Sequence, residues 1–199
     1  MPLAGEEPAL RRVELQSGPQ ESCEQIRKRI EGLSLVALAT AFELVLFVLD
    51  AMVPKPIPWI KVGLANIVTL ALLVSAGWKV AGAVHFLRII IGAVFRGGLF
   101  TPFFLLSFSG GLVSFIVMAP AVRWAMPPMG FIGVSLAGAM AHNFTQLVLV
   151  SVTLSDWSVV GFLWPAVVFF SILYGCLVGF SSYHLCRRIP LLSSGGLSA

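Results

Sequence analysis

The sequence has 199 residues, of which 58% are hydrophobic and 11% are charged. An ordinary soluble domain carries roughly 25% charged residues, and a chain of this length has too little interior to bury so much apolar surface. The composition therefore excludes an ordinary soluble domain and predicts an integral membrane protein.

The charged residues are concentrated at the N-terminus. Residues 1–32 hold six of the nine acids and five of the thirteen bases. We predict no signal peptide, because the N-terminus is acidic and polar and lies too far from the first apolar segment. We predict a cytoplasmic, largely flexible extension over 1–32, disordered over 1–20 with a short surface helix over 22–31. A transmembrane domain over 33–185 and a short cytoplasmic tail over 186–199 would follow.

Six apolar segments follow, and together they predict an all-α bundle of about six transmembrane helices. A helix that spans a bilayer needs about 20 largely apolar residues. Residues that disfavour helix separate the segments: the run Pro54-Lys55-Pro56-Ile57-Pro58, then Gly77, Gly97-Gly98 and Pro127-Pro128. The predicted segments are 33–53, 60–76, 78–95, 102–119, 130–154 and 158–185.

The positive charges predict the orientation of this bundle. With the N-terminus inside, nine bases fall on the cytoplasmic side, three fall outside (Lys55, Lys61 and Arg96), and Arg88 lies within a segment. Bases favour the cytoplasmic side, so both termini should be cytoplasmic, in the inner membrane of a prokaryote. Four tryptophans at segment ends are typical of an interfacial aromatic belt: Trp59, Trp78, Trp124 and Trp157.

Ionisable groups are rare in the apolar segments, and three of them share one depth. Glu43 and Arg88 lie ten residues into their segments and His142 twelve, which corresponds to roughly 15–18 Å from the cytoplasmic side. Such groups are costly in hydrocarbon and usually mark function. Further polar residues, Asp50 among them, continue toward the outside, which predicts a cavity that opens there. The predicted substrate-binding residues are Glu43, Asn66, Arg88, His142, Asn143 and Gln146.

Structural interpretations of the same residues remain open. Glu43 and Arg88 could form a buried ion pair without a ligand, and His142 could be an interhelical hydrogen-bonding group. Asp50 lies near a loop and could be solvated. The three cysteines, Cys23, Cys176 and Cys186, have no metal-ligand spacing, so we predict no metal, disulfide or cofactor.

The first segment also carries two small residues, Ala37 and Ala41, four positions apart. Such a pair lets another helix approach closely, and its face points nearly opposite to that of Glu43 and Asp50. This spacing favours a face that docks a partner helix, although packing within the chain would produce it too.

Three blocks resemble the family known as Gx transporter or heptaprenyl diphosphate synthase component I. The resemblance covers roughly residues 33–185 and excludes the N-terminal extension. The blocks are Lys61-Val62-Gly63-Leu64-Ala65-Asn66-Ile67, then Arg96-Gly97-Gly98-Leu99-Phe100-Thr101-Pro102 with Leu105-Leu106-Ser107 and Gly110-Gly111, and finally Gly138-Ala139-Met140-Ala141-His142-Asn143 with Gln146.

This family is similar in size and helix count to the substrate-binding S components of energy-coupling factor (ECF) transporters. The resemblance implies a small-residue face that docks on a transmembrane coupling subunit, which two cytoplasmic ATPases drive. Ala37 and Ala41 match that pattern by position. A vitamin, a flavin or an isoprenoid-quinone precursor would fit a cavity with this mixture of groups, and the sequence does not choose among them.

The acids of the chain argue against catalysis. Prenyl diphosphate synthases hold Mg²⁺ with clustered aspartates, whereas only Glu43, Asp50 and Asp156 occur after Gly32. The chain also has no G-x-x-x-x-G-K-[ST] loop for ATP. We therefore predict a non-enzymatic, S-component-like subunit energised by a separate ATP-driven module. A non-catalytic membrane partner in isoprenoid or quinone synthesis, or a proton-coupled carrier that uses Glu43, Arg88 and His142, is the alternative.

Overall fold

The computed structural model describes residues 7–54, 62–95, 97–99 and 101–188. It contains five helices: α1 (Glu7–Met52), α2 (Asn66–Ser75), α3 (Gly77–Phe95), α4 (Pro102–Leu154) and α5 (Ser158–Arg188). Helix α4 is interrupted at Gly130, whose φ of +61° is not helical. Its two stretches that are long and apolar enough to cross a membrane are called here the first arm (Pro102–Met126) and the second arm (Pro128–Leu154).

The protein is an all-α membrane bundle of about six helices, as the sequence predicts. Counting the arms of α4 separately, five helices of the described residues are long and apolar enough to cross a membrane, and α2 is a shorter apolar helix. Trp78, Trp124 and Trp157 lie at helix ends and are largely uncovered by protein. The orientation with both termini inside stays a prediction.

The chain divides into two compact units, Met1–Leu38 and Ala39–Ala199. In the first unit α1 is helical from Glu7, and the short helix predicted over 22–31 lies within it. The flexibility of the extension over 1–32 stays a prediction. Within the predicted helix over 22–31, two ion pairs join residues one helical turn apart: Arg27 contacts Glu31 at 2.8 Å, and Lys28 contacts Glu24 at 3.0 Å. Pairs with this spacing stabilise isolated helices.

In the second unit the two arms of α4 fold back on each other as an antiparallel hairpin. Gly110 lies against the ring of His142, and Gly138 lies against Ser114 and Met118. The interruption lies at Gly130, just beyond the predicted separation at Pro127-Pro128, and the first arm continues to Met126 instead of ending at 119. Pro120 does not end the arm, because membrane helices tolerate proline where local adjustments satisfy the freed backbone groups.

Helix α2 is central and short. Its residues Val68 to Leu73 are all buried. The helix begins at Asn66, six residues later than the predicted segment 60–76. The reason is a turn at Gly63, whose φ of +80° favours glycine and whose N–H donates to Asp50 Oδ1 at 3.1 Å. The predicted Pro-rich loop lies outside the described residues from Lys55 onward, as do Trp59, Lys61, Arg96, Phe100 and residues 189–199.

Close helix crossings hold α5 against the second arm of α4. A Cβ at Gly175 would lie 2.9 Å from Leu136 Cα, and a Cβ at Gly179 would lie 2.6 Å from Ile132 Cα. Only glycine permits the backbones to approach so closely. These crossings place the polar residues of the second arm beside α5.

Candidate functional site

A cavity of about 460 Å³ lies among the helices of the second unit. Side chains from α1, α3, both arms of α4 and α5 line it, together with residues 62–66. It extends from Phe103 to Met118 along the first arm, which is roughly 22 Å at the rise of an α-helix. The space beside residues 62–65 exists because α2 begins only at Asn66.

Five of the six predicted substrate-binding residues line this cavity: Asn66, Arg88, His142, Asn143 and Gln146. Glu43 does not line it and is 0% exposed, behind Arg88. The structure therefore brings all six into one region but gives Glu43 a different position. Their role in binding stays a prediction.

Glu43 is held by two helices at once. Its Oε2 forms an ion pair with Nε of Arg88 in α3 at 3.0 Å. Its Oε1 accepts a hydrogen bond from Oγ1 of Thr69 in α2 at 2.6 Å. Both carboxylate oxygens therefore have partners inside the protein, and the charge of Glu43 directly balances that of Arg88.

His85 extends this network on the other side of Arg88. Nη2 of Arg88 lies 3.2 Å from Nδ1 of His85. A guanidinium can only donate, so Nδ1 must accept, and the ring proton belongs on Nε2 of a neutral imidazole. A Cβ at Gly111 in the first arm would lie 3.0 Å from that Nε2, so the ring closely approaches the neighbouring backbone.

Thr69 and His85 are functional candidates that the sequence reasoning missed. Thr69 Oγ1 also approaches His85 Nδ1 at 3.2 Å, but its single proton is directed to Glu43 at the shorter distance. The spacing of His85 and Arg88, three residues apart on one helix, could have indicated a shared face. Thr69 offered no signal, since it stands alone in an apolar segment.

Asp50 lines the same cavity and is not solvated. It is 4% exposed and accepts the Gly63 N–H described above. The interpretation of Asp50 as a solvated loop residue is therefore wrong. The carboxylate has a structural reason for burial, because it anchors the turn that precedes α2.

The amide side chains of Asn143 and Gln146 line the cavity from the second arm of α4. Nδ2 of Asn143 donates to Oγ of Ser171 in α5 at 2.9 Å. Nε2 of Gln146 donates to the carbonyl oxygen of Leu106 at 3.3 Å, which fixes the orientation of this amide because a carbonyl only accepts. Among the described residues, Oδ1 of Asn143 and Oε1 of Gln146 are buried without a hydrogen-bond partner.

Apolar side chains complete the cavity, including Phe47, Phe103, Phe104, Met118 and Val178. Few convergent polar groups in a mainly apolar pocket are typical of a small-molecule site. In the part of the chain that the structure describes, no group of three or more His, Cys, Asp or Glu side chains could hold a metal ion.

The predicted docking pair differs from the cavity residues in its surroundings. Ala37 and Ala41 are both exposed, whereas Glu43 is fully buried. Their helix face therefore differs from that of Glu43, as the sequence predicts. Docking itself stays a prediction.

Comparison with known proteins identifies the family. The family model described as heptaprenyl diphosphate synthase component I matches residues 38–185. This is most of the chain, so the protein belongs to that family, as the resemblance predicted. No curated protein and no solved structure matches the chain.

Proposed function

We propose that this member of the heptaprenyl diphosphate synthase component I family is a non-catalytic membrane protein that binds a small molecule in its cavity. The observation that carries the proposal is the convergence of Arg88, Asn143 and Gln146 on one cavity of about 460 Å³. That volume lies within the range of roughly 300–1,000 Å³ that is usual for ligand pockets.

More polar groups are buried at the cavity than helix packing requires, and this supports the proposal. Gln146 is 1% exposed, and a buried amide oxygen without a partner destabilises the protein by about 1–3 kcal/mol. A bound molecule that donates a hydrogen bond would remove this cost. Helix packing alone gives no reason for two such amides on one helix.

We further propose that the bound molecule is taken up with the help of a separate ATP-driven module. The exposed pair Ala37 and Ala41 offers a place where a helix of a coupling subunit could approach closely. The chain would then act as an S-component-like subunit in a prokaryotic cytoplasmic membrane, with its cavity open to the outside. The substrate would be of the vitamin, flavin or quinone-precursor type.

A second candidate is a non-catalytic partner in heptaprenyl diphosphate synthesis, which the family description favours. The carboxylates of the site support the non-catalytic part. Glu43 pairs with Arg88 and Thr69, and Asp50 accepts from Gly63, so neither is arranged for a Mg²⁺–diphosphate cluster. In this role the cavity would hold a lipid-like molecule for the catalytic partner.

Native mass spectrometry of the purified full chain tests the binding function. We expect a retained small molecule in the wild type and a reduced occupancy in Gln146→Met. Thr145→Val is the matched control, because the Thr145 hydroxyl bonds Ala141 O within its own helix. Absence of any retained molecule, or equal occupancy in all three proteins, would contradict the proposal.

Co-purification from native membranes separates the two roles. Uptake would be supported if a coupling subunit with its ATPases co-purifies with the wild type and is lost from the double variant Ala37→Leu with Ala41→Leu. A prenyl synthase subunit that remains bound to this double variant would support the biosynthetic role. The variant should keep its retained molecule in both cases, because its changed face is not the cavity face.

A further inference from the structure

We infer that the cavity selects an uncharged or cationic ligand that donates hydrogen bonds, and that it rejects carboxylates and phosphates. This inference rests on the proposed binding function and names the chemical class of its ligand. It concerns the one cation that lines the cavity within the described residues, Arg88, and the groups around it.

The charge of Arg88 is already matched inside the protein. Glu43 lies 3.0 Å from Nε, is fully buried, and is held in place by Thr69. A second donor group of Arg88, Nη2, is directed to His85. An anionic ligand would therefore compete with Glu43 for Arg88. The ligand would have to lose its hydration, whereas the Glu43 carboxylate is already buried beside Arg88.

The other charged side chain that lines the cavity, among the described residues, is the carboxylate of Asp50. Among the described residues that line or back the cavity, Arg88 is the one cation, whereas Glu43 and Asp50 are carboxylates. His85 is neutral in this arrangement, and His142 is a further titratable group on the lining. Because Glu43 balances Arg88, an anion would add its negative charge to that of Asp50 in a region of low dielectric constant, where like charges repel strongly.

The amide oxygens of Gln146 and Asn143 favour a ligand that donates hydrogen bonds. Gln146 uses its amide nitrogen on Leu106 O, so its oxygen is the group left to interact. Asn143 has the same arrangement through Ser171. Amide oxygens accept hydrogen bonds from amines, amide N–H groups and hydroxyls, but they repel carboxylate and phosphate oxygens.

Thermal-shift titration of the full chain in detergent tests the inference with four probes that share one ring. The probes are benzylamine, benzyl alcohol, benzoate and benzyl phosphate. We measure the probe concentration that gives half of the maximal rise in melting temperature. For the wild type we expect this concentration to be at least tenfold lower for the amine or the alcohol than for either anion. A lower half-saturation for benzoate or benzyl phosphate would overturn the inference.

The variant Glu43→Gln sharpens the test, because it removes the internal partner of Arg88. Benzyl phosphate should then bind at least tenfold more tightly than to the wild type, and the double variant Glu43→Gln with Arg88→Met should lose this gain. No gain in a folded Glu43→Gln protein would overturn the inference. If this variant does not fold, the ranking of the four probes in the wild type decides.

The proposed function can fail separately. A wild type that responds to none of the four probes and retains no molecule would contradict binding in the cavity. The gain of phosphate binding in Glu43→Gln would still measure whether Glu43 balances Arg88.

Discussion

The two polar walls of the cavity differ in how their buried polar groups are paired. The ion-pair wall consists of Arg88, which lines the cavity, and of Glu43, Thr69 and His85 behind it, and its charges are paired by contacts between α1, α2 and α3. In the amide wall, the side-chain nitrogens of Asn143 and Gln146 donate hydrogen bonds to Ser171 and Leu106. The two amide oxygens have no hydrogen-bond partner among the described residues. From this difference we expect that the first wall mainly supports the structure and that the amide oxygens of the second can accept hydrogen bonds from a ligand.

The largest effect should come from breaking the ion-pair wall. Arg88→Met leaves the Glu43 carboxylate buried without its cation, which should destabilise the protein by about 3–5 kcal/mol. Unfolding in detergent, followed by circular dichroism, measures this loss. Arg123→Met is the control and should change little, because Arg123 is exposed.

The double variant Glu43→Gln with Arg88→Met gives the outcome that would contradict this assignment. Removal of both charges of a buried pair is often close to neutral, so most of the lost stability should return. A double variant as unstable as Arg88→Met alone would mean that the two charges are not coupled.

The next largest effect should come from separating the helices that carry the amide wall. Gly179→Ala places a Cβ against the Ile132 backbone, so α5 must shift away from the second arm of α4. Overpacking of this kind destabilises by about 1–3 kcal/mol. The melting temperature in detergent measures it. Gly161→Ala in the same helix has no neighbouring atom within 4 Å and should be neutral; equal effects would refute the close crossing.

A smaller effect, on binding rather than stability, should follow the loss of one amide. Gln146→Met keeps the volume of the side chain but removes its hydrogen bonds, each worth about 1 kcal/mol. We expect the affinity for the retained molecule to fall about tenfold. Competition titration against the wild type measures this change, with Thr145→Val as the unchanged neighbour. A large loss of melting temperature with unchanged affinity would place Gln146 with the structural residues.

The smallest effect should come from the support of Asn143. Ser171→Ala removes the acceptor of its Nδ2, at a cost of about 1 kcal/mol. Ser151→Ala is the matched control, because that buried hydroxyl bonds Leu147 O within its own helix. Chemical denaturation of both variants gives the comparison. A greater loss in Ser151→Ala would show that the link between α4 and α5 contributes nothing of its own.

Much of the fold could be predicted from hydropathy and from helix-disrupting residues, because apolar length and proline or glycine positions act locally. The boundaries at Gly77, Pro102 and Ser158 illustrate this. The start of α2 at Asn66 could not be predicted, because it depends on the contact between Gly63 and Asp50, which are far apart in sequence. Continuation of the first arm through Pro120 likewise depends on its surroundings.

For the site, equal depth along the helices could be predicted, but rotation about their axes could not. Depth brought Glu43, Arg88 and His142 to one level, and the structure places them in one region. Whether a side chain lines a cavity or lies behind another depends on how the helices face each other. This is why Glu43 was expected in the pocket and why Thr69 and His85 were missed.

The shortness of α2 has a consequence for biogenesis. Its ten residues extend for about 15 Å, roughly half the hydrocarbon thickness, so α2 is too short to be recognised as an independent stop for the insertion machinery. Gly77, with a φ of +84°, connects it directly to α3. The pair α2–α3 should therefore enter the bilayer as one hairpin, with α3 supplying the length that commits both helices to the membrane.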